Sequence, residues 1–189
     1  MTGLERGLAG HPRAPVASPA LIQKVILGGD QAVVSFRGIP QTFDHLRVLM
    51  VVRDNLSVAN IVSFSMRVND DSAAVYSIFL FQPASASTLQ GFESLTQTHG
   101  RIGRCPATTG AAGRSAQLIV DLPNYTSREH AKMWTTQCFS PEGSGTGGYQ
   151  LEEVGGIYDV KAPIRSLAFS PNAFAGAVMA RSAFWLYGI

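Results

Sequence analysis

The chain has 189 residues, a length that fits one domain, and 46% of them are hydrophobic, which excludes a disordered polypeptide. Charged residues make up only 15% and the formal net charge is +2, which excludes a nucleic-acid binder working through a strong basic field. The longest apolar runs, such as Val48–Val52 and Ala173–Ala180, fall far short of the roughly 20 residues of a membrane-crossing helix.

Met1–Ala20 reads as an N-terminal arm. It carries Gly3, Gly7, Gly10, Pro12, Pro15 and Pro19, shows no sustained periodicity, and lacks the basic and apolar regions of a secretory leader. Such a segment orders only where something holds it, either its own domain or a neighbouring subunit. The prolines pre-extend the arm and reduce the entropy lost on docking. Arg6, His11, Arg13, Pro15, Val16 and Leu21 are therefore the expected assembly contacts, Val16 and Leu21 apolar, Arg6 and Arg13 for charge pairing.

From Leu21 to Ile189 period-two patterns dominate, the signature of half-buried strands. Leu21–Leu27 and Gln31–Arg37 read as strands around Gly28-Gly29-Asp30, a hairpin-type turn signal. Pro40 keeps Gly38–Thr42 out of a central strand. His45–Arg53 places Leu46, Val48, Met50 and Val52 on one face, and Ile61–Val68 does the same with Val62, Phe64, Met66 and Val68. Asn69–Ser72 is a turn. Val75–Gln82 is apolar on both faces, which predicts a strand covered on both sides, while Ser85–Thr96 has room for a turn of helix. Short strands follow at Arg101–Cys105, Gln117–Leu122, His130–Cys138, Gln150–Tyr158, Ala162–Phe169 and Val178–Tyr187, with Asn124–Glu129 as a turn and Ser140–Gly148 as a Gly/Ser loop. Nine or ten short strands with turn signals between them predict an all-β antiparallel sandwich, most simply a jelly roll with an extended arm; a closed barrel is the alternative. The domain division is 1–20 for the arm and 21–189 for the jelly roll.

No catalytic constellation emerges. His11, His45, His99 and His130 are scattered without metal-ligand spacing, so no metal site is expected. Asn69-Asp70-Asp71 lacks the calcium-loop pattern and suits a turn, where Asn and Asp bond their own backbone. G-x-S-x-G is absent, and Glu152 and Glu153, adjacent on a strand, face opposite sides. Gly143–Gly148 lacks the Lys and Ser/Thr of a phosphate loop. Cys105 and Cys138 read as free thiols. Trp134, Trp185, Tyr187, Phe184 and Phe174 read first as core or interface aromatics, and second as a sugar-binding patch. The expectation is a protein without enzymatic activity or cofactor.

Four strings resemble, in order and spacing, a recurrent module of tailed-bacteriophage virion proteins. They are Ile39-Pro40-Gln41-Thr42-Phe43-Asp44-His45-Leu46; Phe64–Asp71 followed by Tyr76; Ile119–Tyr125 followed by Lys132; and Ala162–Phe169, Phe174-Ala175-Gly176 and the ending Leu186-Tyr187-Gly188-Ile189. The chain departs from the module where a Gly is usual between Asn69 and Asp70, and where Arg181-Ser182 stands in place of Gly-Ser. The resemblance covers Leu21–Ile189 and implies a jelly-roll virion component, with no catalytic residue to carry over. It implies a capsid decoration (cement) protein that stabilises the head through neighbouring subunits. Its implied partners are other copies, as a homotrimer, and the major capsid protein or other virion proteins; nucleic acid and membrane are not among them. The implied location is the virion, assembled in the host cytoplasm. The alternative is a tail or tail-fibre protein, an adaptor or a module that binds receptor or host-surface glycan.

Overall fold

The computed structural model describes residues 18–56, 61–85, 88–110, 113–141 and 149–189. Over these residues the chain forms β1 (Ala20–Ile26), β2 (Val34–Arg37), β3 (His45–Val52), β4 (Ile61–Val68), β5 (Tyr76–Ser85), β6 (Thr88–Gln97), β7 (Gly100–Pro106), β8 (Ala116–Pro123), β9 (Lys132–Pro141), β10 (Tyr149–Tyr158), β11 (Ser166–Pro171) and β12 (Ala183–Gly188). They make an antiparallel β-sandwich of one eight-stranded sheet, in the order β1-β12-β3-β8-β9-β10-β5-β6, and one four-stranded sheet, in the order β2-β11-β4-β7. Among the described residues no helix is long and apolar enough to cross a membrane.

The chain alternates between sheets. It passes from β1 in the large sheet to β2 in the small one, back to β3, across to β4, and later from β7 to β8 and from β11 to β12. Two hairpins, β5–β6 and β9–β10, interrupt the alternation and widen the large sheet beyond the small one.

Alternation along each strand builds the core. On β3, Leu46, Val48, Met50 and Val52 are buried, and on β8, Ala116, Leu118, Val120 and Leu122 are buried beside them. From the small sheet come Phe36, Phe64, Met66, Ile102, Leu167 and Phe169. Phe184 of β12 meets Phe64 and Phe169 across the gap, with ring centroids 6.4 and 5.9 Å apart. Burying each such ring contributes about 1.5–3 kcal/mol. Trp134 of β9 lies between two chain segments that carry no side chain, Gly100 of β7 and Gly156 of β10. Tyr125 packs its ring inside, donates its hydroxyl hydrogen to the Pro40 carbonyl and accepts from the Phe43 amide.

Several sequence expectations are corrected. Leu21–Leu27 and Gln31–Arg37 are not a hairpin: β1 pairs with β12 and β2 with β11, in different sheets. Gly28-Gly29-Asp30 is instead a corner, where the Asp30 carboxylate accepts from the Ala180 amide and the Asn55 side chain. Those bonds hold the Asp30 pKa below its ordinary value. β5 is covered on one face only: Tyr76, Ile78 and Leu80 are buried, while Phe79 and Phe81 are 42% and 61% exposed. The segment given room for helix is β6, a strand formed by pairing with β5.

Three non-glycine residues at the turns singled out in sequence have left-handed backbone. Asn69 and Asp70 take φ of 54° and 57°, and Arg181 takes φ of 69°, the left-handed region where glycine is least strained. Asn and Asp tolerate that region. Arg181 does not share their side-chain chemistry and is held by its amide bond to the Leu27 carbonyl.

Candidate functional site

The outer face of the eight-stranded sheet turns away from the small sheet, and its side chains follow directly from the strand register. One row across the strands runs Leu21, Tyr187, Arg47, Asp121, Thr135, Gly155, Phe79, Glu93. The next runs Lys24, Trp185, Leu49, Ile119, Gln137, Glu153, Phe81, Gly91. A third runs Ile26, Ala183, Val51, Gln117, Phe139, Leu151, and Leu89 of β6, opposite Pro83, is also exposed.

Between an aromatic pair at either end, the first two rows define a strip whose polar side chains are Arg47, Asp121, Thr135, Gln137 and Glu153, with Leu49 and Ile119 beside them. Arg47 and Asp121 form a bidentate ion pair, Nε to Oδ1 at 2.7 Å and Nη2 to Oδ2 at 3.0 Å. The hydrogen bonds to Asp121 hold the Arg47 pKa above its ordinary value. Thr135, Gln137 and Glu153 continue the strip with exposed side chains. Phe79 and Phe81 close one end; Trp185 and Tyr187, both half-buried, close the other, with Lys24 Nζ 6.0 Å from the Trp185 ring. A cleft of about 470 Å³ lies over the strip, lined by Arg47, Asp121, Thr135, Gln137, Glu153 and Phe79 among others. A second hollow of about 340 Å³, lined by Leu49, Val51, Trp185 and Tyr187, shares Ile119 with the first. Gly155 opens the cleft floor, since a Cβ there would meet nothing within 4 Å.

The third row is apolar except for the exposed Gln117, which stands between Val51 and Phe139. Phe139 is 45% exposed, Leu151 59% and Leu89 77%, and Tyr149 stacks on Phe139 with ring centroids 5.4 Å apart. Exposed apolar side chains grouped in this way mark contact surfaces more often than isolated ones do.

Other charged groups serve the fold. Glu152 is fully buried and accepts from Arg101 at 2.9 Å and Arg104 at 3.0 Å, joining β7 to β10. Burial pulls the Arg101 pKa down, against the pull of Glu152. The Arg53 guanidinium ties down a loop through the carbonyls of Ala107, Gly110 and Arg114. Cys105 and Cys138 are buried and unpaired, deeper than a half-exposed thiol, and burial pushes the Cys138 thiol up to about 12. Among the described residues no group of three or more His, Cys, Asp and Glu side chains is placed to hold a metal ion.

The residues singled out in sequence fare unequally. Arg6, His11, Arg13, Pro15 and Val16 lie outside the described residues, as do Gly143–Gly148. Leu21 lies on β1, 53% exposed, at the end of the first row. Trp134 and Phe184 are core residues, whereas Trp185 and Tyr187 face outward. Phe174 lies elsewhere, under the Arg67 guanidinium at 4.1 Å. Glu152 and Glu153 do face opposite sides, one into the core and one into the cleft. Arg47, Phe79, Phe81, Asp121, Thr135 and Gln137 were not foreseen as a site. Alternation places Arg47 and Asp121 opposite the core face of their strands but says nothing of the kind for Phe79 and Phe81, and only strand order aligns them all.

Comparison of the chain with protein-family models, curated proteins and solved structures returned no match.

Proposed function

We propose that this protein is a structural component of a tailed-phage particle, a capsid decoration protein that stabilises the head by contacts with neighbouring subunits, itself assembled as a homotrimer. The observation that carries this reading is the exposed apolar group on the outer face, where Phe139 of β9 is paired with Leu151 of β10 and Tyr149 stacks on Phe139. Removing such a group from water is favourable by about 25 cal/mol per Å². The strand wiring supports the same reading. With the β5–β6 and β9–β10 hairpins set aside, the remaining strands fall into β1-β12-β3-β8 and β2-β11-β4-β7 and cross between the two at every step but β4 to β7, the order expected of a jelly roll. The four strings that resemble the virion module fall on the turns and core strands of that wiring. β1, at whose start the arm read over residues 1–20 ends, is an edge strand of the large sheet.

Sedimentation equilibrium of the full chain tests the assembly. A trimer that dissociates in the Phe139→Asp/Leu151→Asp variant is expected, since both side chains are exposed and their loss leaves the core intact. Cryo-electron microscopy of particles carrying the protein is expected to show the sandwich on the head lattice. A monomer at micromolar concentration, or density confined to the tail, refutes the reading.

A further inference from the structure

We propose that the polar strip between Trp185/Tyr187 and Phe79/Phe81 binds a neutral oligosaccharide laid across the strands. This site borders the third row on the same face of the sheet, with Val51 lining its Trp185/Tyr187 end, and the inference does not depend on where in a particle the domain sits.

Three features select the ligand class. Hydroxyl groups that donate and accept in adjacent pairs need rigid donors and acceptors side by side. Arg47 and Asp121 supply them: the ion pair engages two of the five N–H donors of Arg47 and leaves carboxylate lone pairs over. Thr135, Gln137 and Glu153 extend the array with exposed groups of both kinds. Aromatic faces carry the negative part of a quadrupole and attract the partly positive C–H groups of a sugar ring. Such faces flank the array at both ends. From β12, which carries Trp185, to β5, which carries Phe81, there are five strand spacings, about 24 Å at roughly 4.8 Å each, so one sugar ring cannot touch both.

The same geometry disfavours other ligands. An extended peptide recognised by strand addition needs a free sheet edge, and every strand from β12 to β5 in the strip is paired on both sides. An amphipathic helix needs a continuous apolar groove, and in the cleft the apolar Phe79, Phe81 and Ile119 are interrupted by Arg47, Asp121, Gln137 and Glu153. Asp121 neutralises Arg47, and the remaining charges of the two rows are one cation, Lys24, and two anions, Glu153 and Glu93, so no net positive charge draws acidic sugars and phosphates. Gly155 keeps the floor open beside Thr135 and Phe79, so a side chain added there enters the cleft and meets no packed neighbour.

The test is calorimetric titration of the full chain with neutral hexasaccharides of glucose, mannose, galactose and N-acetylglucosamine, with hexagalacturonate as the acidic comparison. Intrinsic fluorescence is recorded in parallel. The sequence holds two tryptophans; Trp134 is buried, so a ligand-dependent change reports Trp185. The expected result is a Kd of about 1 mM or tighter for at least one neutral hexasaccharide. Gly155→Leu, Phe81→Ala and Gln137→Ala are each expected to weaken it about tenfold, with thermal stability and oligomeric state unchanged. The inference is overturned if no neutral hexasaccharide binds at about 10 mM, if Gly155→Leu binds as well as the parent chain, or if hexagalacturonate binds more tightly. It is equally overturned if Gly155→Leu abolishes self-association, because a second copy then occupies the strip. A monomeric parent chain that still binds sugar refutes the assembly reading alone.

Discussion

Gly156 is the position where one methyl group should cost most. An alanine Cβ there would lie 2.0 Å from Cζ2 of Trp134 and 2.4 Å from Cε2 and Cη2. Unstrained carbon contacts are about 3.5–4.0 Å, so the overlap is roughly 1.5–2 Å. The indole cannot retreat, because it is 1% exposed and its Cζ2 is also where a Cβ on Gly100 would come within 2.6 Å. Overpacking costs about 1–3 kcal/mol when neighbours yield, and displacing a buried tryptophan about 3–5 kcal/mol. Gly156→Ala is therefore expected to lose about 3–5 kcal/mol, a fall in Tm of roughly 10 °C for a chain of this size. Gly155→Ala, one residue away with open space around its Cβ, is the control and should match the parent or gain slightly. Thermal and urea unfolding followed by circular dichroism read both. Trp134→Leu in the Gly156→Ala background should recover part of the loss and give a favourable coupling energy in the double-mutant cycle. If Gly156→Ala and Gly155→Ala unfold alike, or the cycle shows no coupling, Trp134 does not occupy the gap described.

Four further outcomes are expected. Glu152→Gln should lose about 2–3 kcal/mol in urea unfolding, because it removes the buried carboxylate that Arg101 and Arg104 share. Cys105 and Cys138 should resist a thiol reagent at pH 8 in the native state and react once urea unfolds the chain, since burial raises both pKa values. Burial, then the Arg67 charge, lowers the His99 pKa from 6.5, so the unfolded chain takes up the proton more readily; Tm should fall as pH drops below 6.5, less steeply in His99→Gln. Arg181→Gly should raise Tm, because it relieves about 1 kcal/mol of left-handed strain at a φ of 69°, part of which the added chain entropy offsets.

The sequence was legible where one strand face alone decides the outcome. β4 coincides with the Ile61–Val68 pattern because apolar and polar residues alternate without interruption there. β5 was misread because Phe79 and Phe81 make its outer face as apolar as its inner one, and alternation cannot tell a covered face from an uncovered one. β6 escaped because its ten residues, Thr88–Gln97, are mostly polar with Gly91 among them; pairing with β5, rather than propensity, makes it a strand. Gly28-Gly29-Asp30 was a sound turn signal with the wrong consequence, since a local signal does not say which sheet receives the next strand. The polar strip was out of reach for the same reason. Arg47, Asp121, Thr135 and Gly155 lie on four strands, and only their order across the sheet makes them neighbours.

β12 separates β1 from β3, and that position governs the order in which the molecule can be completed. During synthesis β1 emerges ahead of the other strands described yet has no sheet partner until β12 follows, with β2 to β11 intervening between Ala20 and its counterpart Gly188. Until then one backbone edge of β3, a segment reading His-Leu-Arg-Val-Leu-Met-Val-Val, stays unprotected beside a half-made core. A nascent chain stalled short of Ala183 would thus present a ready template for intermolecular strand pairing, and productive closure competes with aggregation until the last six-residue strand is inserted.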